Sequence, residues 1–185
     1  LFEAAEMDEE NMGPTSANRS FSLQSAPEGL ALLAGEWAGL GRGEYPTIHS
    51  FNYSESLRFQ HDPDVPYLTY EQQTELIDAQ GQPIRRSHWE AGVIRPQDDG
   101  SLELACVQSG GRVEILRGII QEQDVEAGKL WITFESELIG NDGRVVRSSR
   151  DWRLNGSQLA YEMFMETTQA GALLFHIGSA LVRKT

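Results

Sequence analysis

The chain of 185 residues holds a single cysteine, Cys106. That excludes an intrachain disulfide and gives no sign of an oxidising compartment. Cys106 lies in the apolar run LELACVQSG, where it reads as a buried strand thiol packing as a small hydrophobe rather than as a nucleophile. Positive charge is scarce: 15 Lys and Arg stand against 28 Asp and Glu, for a formal net charge of -13. Nucleic acid and anionic membranes, both held by basic residues, are therefore excluded as expected partners. No stretch approaches the roughly 18 apolar residues of a membrane span, so the expectation is a cytoplasmic protein with no membrane span. A phosphate loop is lacking as well. GEWAGLGRGEYPTI, residues 35–48, is rich in glycine, yet Glu44, Tyr45, Pro46 and Thr47 follow where a nucleotide loop needs Gly-Lys-Ser/Thr or a helix.

What the chain has instead is short period-two runs separated by turn residues. Candidate strands are Glu36–Gly43, His49–Phe59, Tyr67–Asp78, Pro83–Arg95, Ser101–Ser109, Arg112–Gln121, Lys129–Leu138, Val145–Leu154, Gln158–Thr167 and one within Ala172–Arg183. The stretches between them, such as DAQGQP, SGG, GNDGR and LNGSQ, carry the Gly, Asn or Asp that tight hairpins require. Ten strands joined by short turns form an antiparallel meander. Closure into an up-and-down barrel of the lipocalin or fatty-acid-binding-protein kind removes its exposed edges. Residues 1–25 are acidic, have no basic residue before Arg19, and read as a disordered tail; residues 26–185 read as the domain. Within the domain, APEGLALLAG suits a helical turn or two before the first strand, with Pro27 in its first turn and Gly35 at its stop.

The alternation says what fills such a barrel. Leu159, Tyr161, Met163 and Met165 share one face of their strand, and Ala160, Glu162, Phe164 and Glu166 the other. KLWITFESELI divides the same way and leaves Trp131 as an exposed aromatic through which two barrels could pair weakly. Gly39, Gly41 and Gly43 strip one face of the first strand, which permits curvature and close approach. A barrel wider than eight strands has room for a ligand cavity. Glu55, Glu71 and Glu114 read as outward-facing or paired strand residues. Of His49, His61, His88 and His176, the last stands out. It lies in the uncharged run ALLFHIGSAL, where an unpartnered imidazole is costly and either a metal bond or a backbone hydrogen bond would satisfy it. His88, between Arg86 and Glu90, has a surface salt bridge as its simplest reading.

These stretches resemble the nitrobindin family of haem barrels. GEWAGLGRGEYPTI is similar to its G-x-W-x-G-x-G-x-G-x-Y-P-T-I signature, and FNYSESLRF, HWEAGVIRP, VQSGGRVEILRG, YEMFMETT and FHIGSALVRK resemble further family segments. The resemblance implies a ten-stranded antiparallel barrel that binds one ferric b-type haem at its open mouth through one histidine. It also implies binding of nitric oxide and, as in some members, isomerisation of peroxynitrite to nitrate. By position the axial ligand is His176; Ser87, His88, Gln108, Met163 and Met165 line the haem cavity, with Thr47 and Ile48 beside it. The same resemblance puts Trp37 near the closed end and makes the distal wall apolar, Met163 and Met165 offering no strong donor. Iron held by one neutral histidine keeps an open position, so no acid–base pair is required. The chain departs from the family at Gln73, Glu75, Ser87 and Val93, and carries one extra residue between Met165 and His176. The expected partners are haem and small gaseous or reactive nitrogen ligands, and the expected state is a monomer or weak homodimer. Two other readings stay open: a haem-free carrier or sensor of a small hydrophobic ligand such as a fatty acid, and an interaction domain with a filled barrel and a binding tail.

Overall fold

Period-two alternation builds ten strands: β1 (Gly35–Tyr45), β2 (Ile48–His61), β3 (Leu68–Ile77), β4 (Pro83–Pro96), β5 (Leu102–Gln108), β6 (Val113–Asp124), β7 (Lys129–Gly140), β8 (Val145–Asn155), β9 (Gln158–Thr167) and β10 (Leu174–Arg183). One helical turn, α1 (Glu28–Ala31), precedes them. The structure, a computed structural model, describes residues 28–185, and the acidic segment 1–25 lies outside them. Each strand pairs antiparallel with its sequence neighbours and β1 pairs with β10, so the sheet closes on itself with no free edge. The strand limits agree with those read from alternation to within three residues. The turns behave as their chemistry requires. Gly111 and Asn141 adopt φ of 85° and 62°, the left-handed region that Gly and Asn tolerate best.

The core occupies the end where α1 sits. Leu30, Leu33 and Trp37 are fully or almost fully buried there, with Leu68, Ile94, Leu102 and Leu104 from the strands. Trp37 lies at this closed end as expected, and its indole Nε1 donates to the Leu33 carbonyl at 2.8 Å. The Arg183 guanidinium stacks 4.2 Å from the Trp37 ring and donates to the carbonyls of Leu32 and Ala34. The helical turn thus ends with its free carbonyls satisfied. Above this plug, Trp152 meets Phe134 and Phe59 edge-on at centroid distances of 5.1 and 5.7 Å.

β1 explains where the empty space lies. Trp37, Gly39, Gly41, Gly43 and Tyr45 share its inward face, so three glycines separate one large ring near the floor from another at the mouth. A Cβ on Gly41 would lie 2.3 Å from the Tyr53 ring, and one on Gly43 2.2 Å from Phe51. Only a bare backbone lets those two rings of β2 lean over β1. On the outside, Trp131 is not the free aromatic that alternation suggested. Arg153 lies 4.4 Å over its ring and Asp151 accepts from its Nε1 at 2.9 Å, so the ring is partly covered by its own strand neighbours.

Candidate functional site

Opposite the α1 plug, the turns β1–β2, β3–β4, β5–β6, β7–β8 and β9–β10 surround an open mouth. Beneath it lies a cavity of about 200 Å³ whose walls include Phe51, Tyr53, Trp152 and Tyr161. Two β-bulges decide what else faces it. In β10 the pairing with β9 steps from Phe175↔Phe164 to Ile177↔Met163, so His176 is an inserted residue. Without that insertion, the parity of Ser179 and Leu181 would turn His176 outward; with it, His176 and Ile177 both line the cavity. The same device recurs in β4, where the register with β3 steps from Thr74↔His88 to Glu75↔Arg86 and turns the consecutive Ser87 and His88 inward.

His176 is a partly buried imidazole whose Nδ1 has no hydrogen-bond partner among the described residues. Tyr45 packs edge-on against it, ring centroids 5.5 Å apart, and is held there by donation from its hydroxyl to the Met165 carbonyl at 3.0 Å. Burial, helped by the positive charges of Arg112 and His88, lowers the His176 pKa to about 4. The ring is thus neutral at pH 7 and keeps a lone pair for a metal. Among the described residues no group of three or more His, Cys, Asp and Glu could hold a bare ion. One neutral imidazole at an open mouth, with no other metal-ligating side chain grouped beside it, fits a metal whose remaining ligands come from a macrocycle.

The other residues read from sequence fall in three places. Ser87, His88, Gln108 and Met163 line the cavity with His176. Met165 is buried at the mouth in a cluster with Tyr45 and Val145. Thr47 and Ile48 sit at the β1–β2 turn, exposed on the rim and outside the cavity wall. The expected apolar wall facing the histidine needs correction. Met163 and Met165 belong to β9, the neighbour of β10, so they stand beside His176 rather than across from it. Across from it the wall is polar.

A belt of charge that the motif reading missed crosses the barrel below the mouth. Arg150, 6% exposed, donates to Glu90 Oε1 at 2.5 Å and Oε2 at 3.1 Å, and to Glu114 Oε2 at 2.9 Å. Tyr70 adds its hydroxyl to Glu90 at 2.5 Å. Burial works against ionising Glu90, but Arg150 and the hydrogen bonds of His88, Arg150 and Tyr70 outweigh it and hold the carboxyl well below its usual range. His88 Nε2 lies 3.9 Å from Glu90 Oε2, so it meets its carboxylate inside the barrel rather than over the surface. Cys106 is buried beside Arg150, and burial pushes its thiol up to about 11, which leaves it inert.

Glu114 is paired, as read, but points inward. Glu55 is neither outward nor paired. It is 4% exposed and accepts from Gln72 at 2.8 Å, Tyr161 at 2.8 Å and Ser179 at 2.5 Å, with no guanidinium in reach. Burial raises its pKa against those three hydrogen bonds. A signal was present for Arg150 and Glu55: Arg150 shares the parity of Trp152 and Leu154, and Glu55 that of Tyr53 and Leu57, each set with its large apolar members inside.

Comparison with known proteins completes the site. Residues 27–183 match the family described as the THAP4-like, heme-binding beta-barrel domain. The chain belongs to this haem-binding barrel family, the nitrobindins. This nitrobindin is 39% identical over 141 residues, 75% of its length and 78% of the relative's, to an Arabidopsis thaliana protein named peroxynitrite isomerase Rv2717c. It is 34% identical over 158 residues, 85% of its length and 94% of the relative's, to peroxynitrite isomerase 2 of Mycobacterium ulcerans. The crystal structure of Rv2717c from M. tuberculosis matches with a TM-score of 0.73 at 30% identity, covering 88% of this nitrobindin and 100% of that chain. Among the described residues, no helix is long and apolar enough to cross a membrane.

Proposed function

We propose that the mouth holds one ferric b-type haem through His176, and that the loaded barrel binds nitric oxide and isomerises peroxynitrite to nitrate. One observation carries the reading: a bulge aims a neutral imidazole into the cavity and leaves its Nδ1 without a partner. When bound, haem supplies an iron with one open position for a small ligand. The chain's own residues hold and screen it. His176, kept neutral by burial and by Arg112 and His88, would hold the iron. Tyr45, Val145 and Met165 pack around the rim beside it and keep water from that side. Ser87, His88 and Gln108 form the polar wall facing it, and Thr47 and Ile48 on the rim would lie beside a bound haem. The relatives named peroxynitrite isomerase support the reaction. No observation favours a deeply seated fatty acid, because Arg150, the cation at depth, is already taken by Glu90 and Glu114.

The test is a ferric haem titration of the wild-type chain beside His176→Ala. Wild type is expected to saturate at one haem per chain with a shifted Soret band, and the variant to bind at least about tenfold more weakly with an altered spectrum. Coincident titrations, or no Soret shift for wild type, would end the haem reading. Stopped-flow decay of peroxynitrite with nitrate yield then tests the reaction itself.

A further inference from the structure

Two donors that line the cavity are incompletely paired. Gln108, 6% exposed, ends β5 with its Nε2 unpartnered. Arg112 immediately precedes β6, and the backbone N–H of Gln108 donates to its carbonyl at 2.9 Å, so the two face each other across the β5–β6 turn. Both line the cavity. In the closed barrel, four strands separate β5 from β10 in either direction, so this pair faces His176 across the mouth.

The two interior arginines differ in how their donors are used. Arg150 spends both terminal nitrogens on Glu90 and Glu114. Arg112 has its charge balanced but its donors unfilled. Its Nε is 3.1 Å from Glu114 Oε1, yet neither atom makes a hydrogen bond there. Its Nη1 meets the Met165 thioether at 3.6 Å, a weak acceptor, and lies 3.9 Å from Asp142 Oδ2. Asp142 itself accepts from Arg144 Nε at 2.9 Å and Nη2 at 3.0 Å. A guanidinium carries five N–H donors in a planar fork that matches two coplanar oxygens. The nearby carboxylates Glu90 and Glu114 are neutralised by Arg150 and Arg112, so the wall offers donors without a net negative field.

We propose that Gln108 and Arg112 form a subsite for a small planar oxyanion, of the carboxylate or nitrate kind, on the wall facing His176. It deepens the haem reading by naming the ligand chemistry the cavity accepts. The oxyanion has two sources: a carboxylate on the edge of the porphyrin, or a free nitrogen oxyanion.

The haem-free full chain is titrated with sodium nitrate in chloride-free buffer, following the Arg112 Nε–H and Gln108 amide signals by NMR. Saturable shifts of both are expected. Arg112→Gln should weaken nitrate about tenfold, and Arg112→Lys, which keeps the charge without the fork, by less. Gln108→Leu removes only the amide, leaves the ion pairs intact, and should weaken nitrate severalfold in a folded barrel. If nitrate shifts neither signal, or binds wild type and Gln108→Leu alike, the subsite is overturned. A second arm separates the sources by comparing haem with haem dimethyl ester. Weaker binding of haem but not of the ester by Arg112→Gln assigns the porphyrin edge; equal binding of both, with the nitrate site intact in wild type, assigns the free anion. Since the nitrate arm contains no haem, it can fail while His176 still binds haem, and the reverse.

Discussion

At the closed end, the Trp37 indole donates to the Leu33 carbonyl and Arg183 covers the last carbonyls of the helical segment; at the mouth, His176 Nδ1 and Gln108 Nε2 have no hydrogen-bond partner among the described residues. The same ten strands supply both ends. Yet the buried side-chain atoms without partners among the described residues belong to Gln108, Arg112, Glu114, Ser148, Arg150 and His176, and all of them lie in the belt and mouth half. Those that face no opposite charge, such as Gln108 Nε2 and His176 Nδ1, cost stability. Natural barrels keep such costs where a ligand can remove them, so the plug holds the fold and the mouth holds chemistry.

Substitutions that act on one end should leave the other's property untouched. The largest effect is expected from Trp37→Ala, which empties a fully buried site and should cost about 4 kcal/mol in denaturant unfolding. Haem affinity per folded molecule should be unchanged. A large loss of that affinity at full folding would mean that the ends are coupled. Next is Arg150→Met in the belt between them, which strands Glu90 and Glu114 without their shared cation and should cost about 3 kcal/mol. Adding Glu90→Gln to it should restore part of the loss. A cost under about 1 kcal/mol for Arg150→Met would show that the belt is not what fixes the barrel's middle.

The contrast also marks what could be read before the fold was known. The plug was legible because Trp37 stands in a long signature and because apolar residues at period two have one place to go. The positions of Ser87, His88, His176 and Ile177 were not legible from alternation, since each pair puts neighbouring residues on one face. A bulge breaks the period, and its cause lies in the partner strand's register. Family resemblance supplied His176 where periodicity would have turned it outward. The charged belt had the opposite fate: parity pointed Arg150, Glu90 and Glu55 inward, but a charged residue in a strand reads by default as solvent-facing. What decides otherwise is a set of partners drawn from β3, β4, β6 and β8, brought together by closure alone. Arg112 was missed for a related reason. It begins beyond a turn, where alternation has too few positions to be counted.

The smallest predicted effect is the most direct on the comparison, because its sign is opposite to that at the plug. His176→Leu removes an unpartnered buried nitrogen and keeps an apolar shape, so the haem-free barrel should gain about 1 kcal/mol at pH 7 while haem binding is lost. The gain should depend on pH. An imidazole in an unfolded chain titrates near 6.5, whereas burial first, then Arg112 and His88, lowers that of His176 to about 4 in the fold. Between those values the unfolded chain takes up a proton that the folded barrel refuses, so wild-type stability falls as pH drops through the window. Above the upper value both states are neutral and the contribution is constant. The leucine variant has no such proton, and its advantage over wild type should widen steadily from pH 7 toward pH 4. Urea unfolding of the two haem-free proteins across that range measures the difference. Parallel curves would mean that the imidazole is as easily protonated in the barrel as outside it, and the mouth would then hold no cost for a ligand to remove.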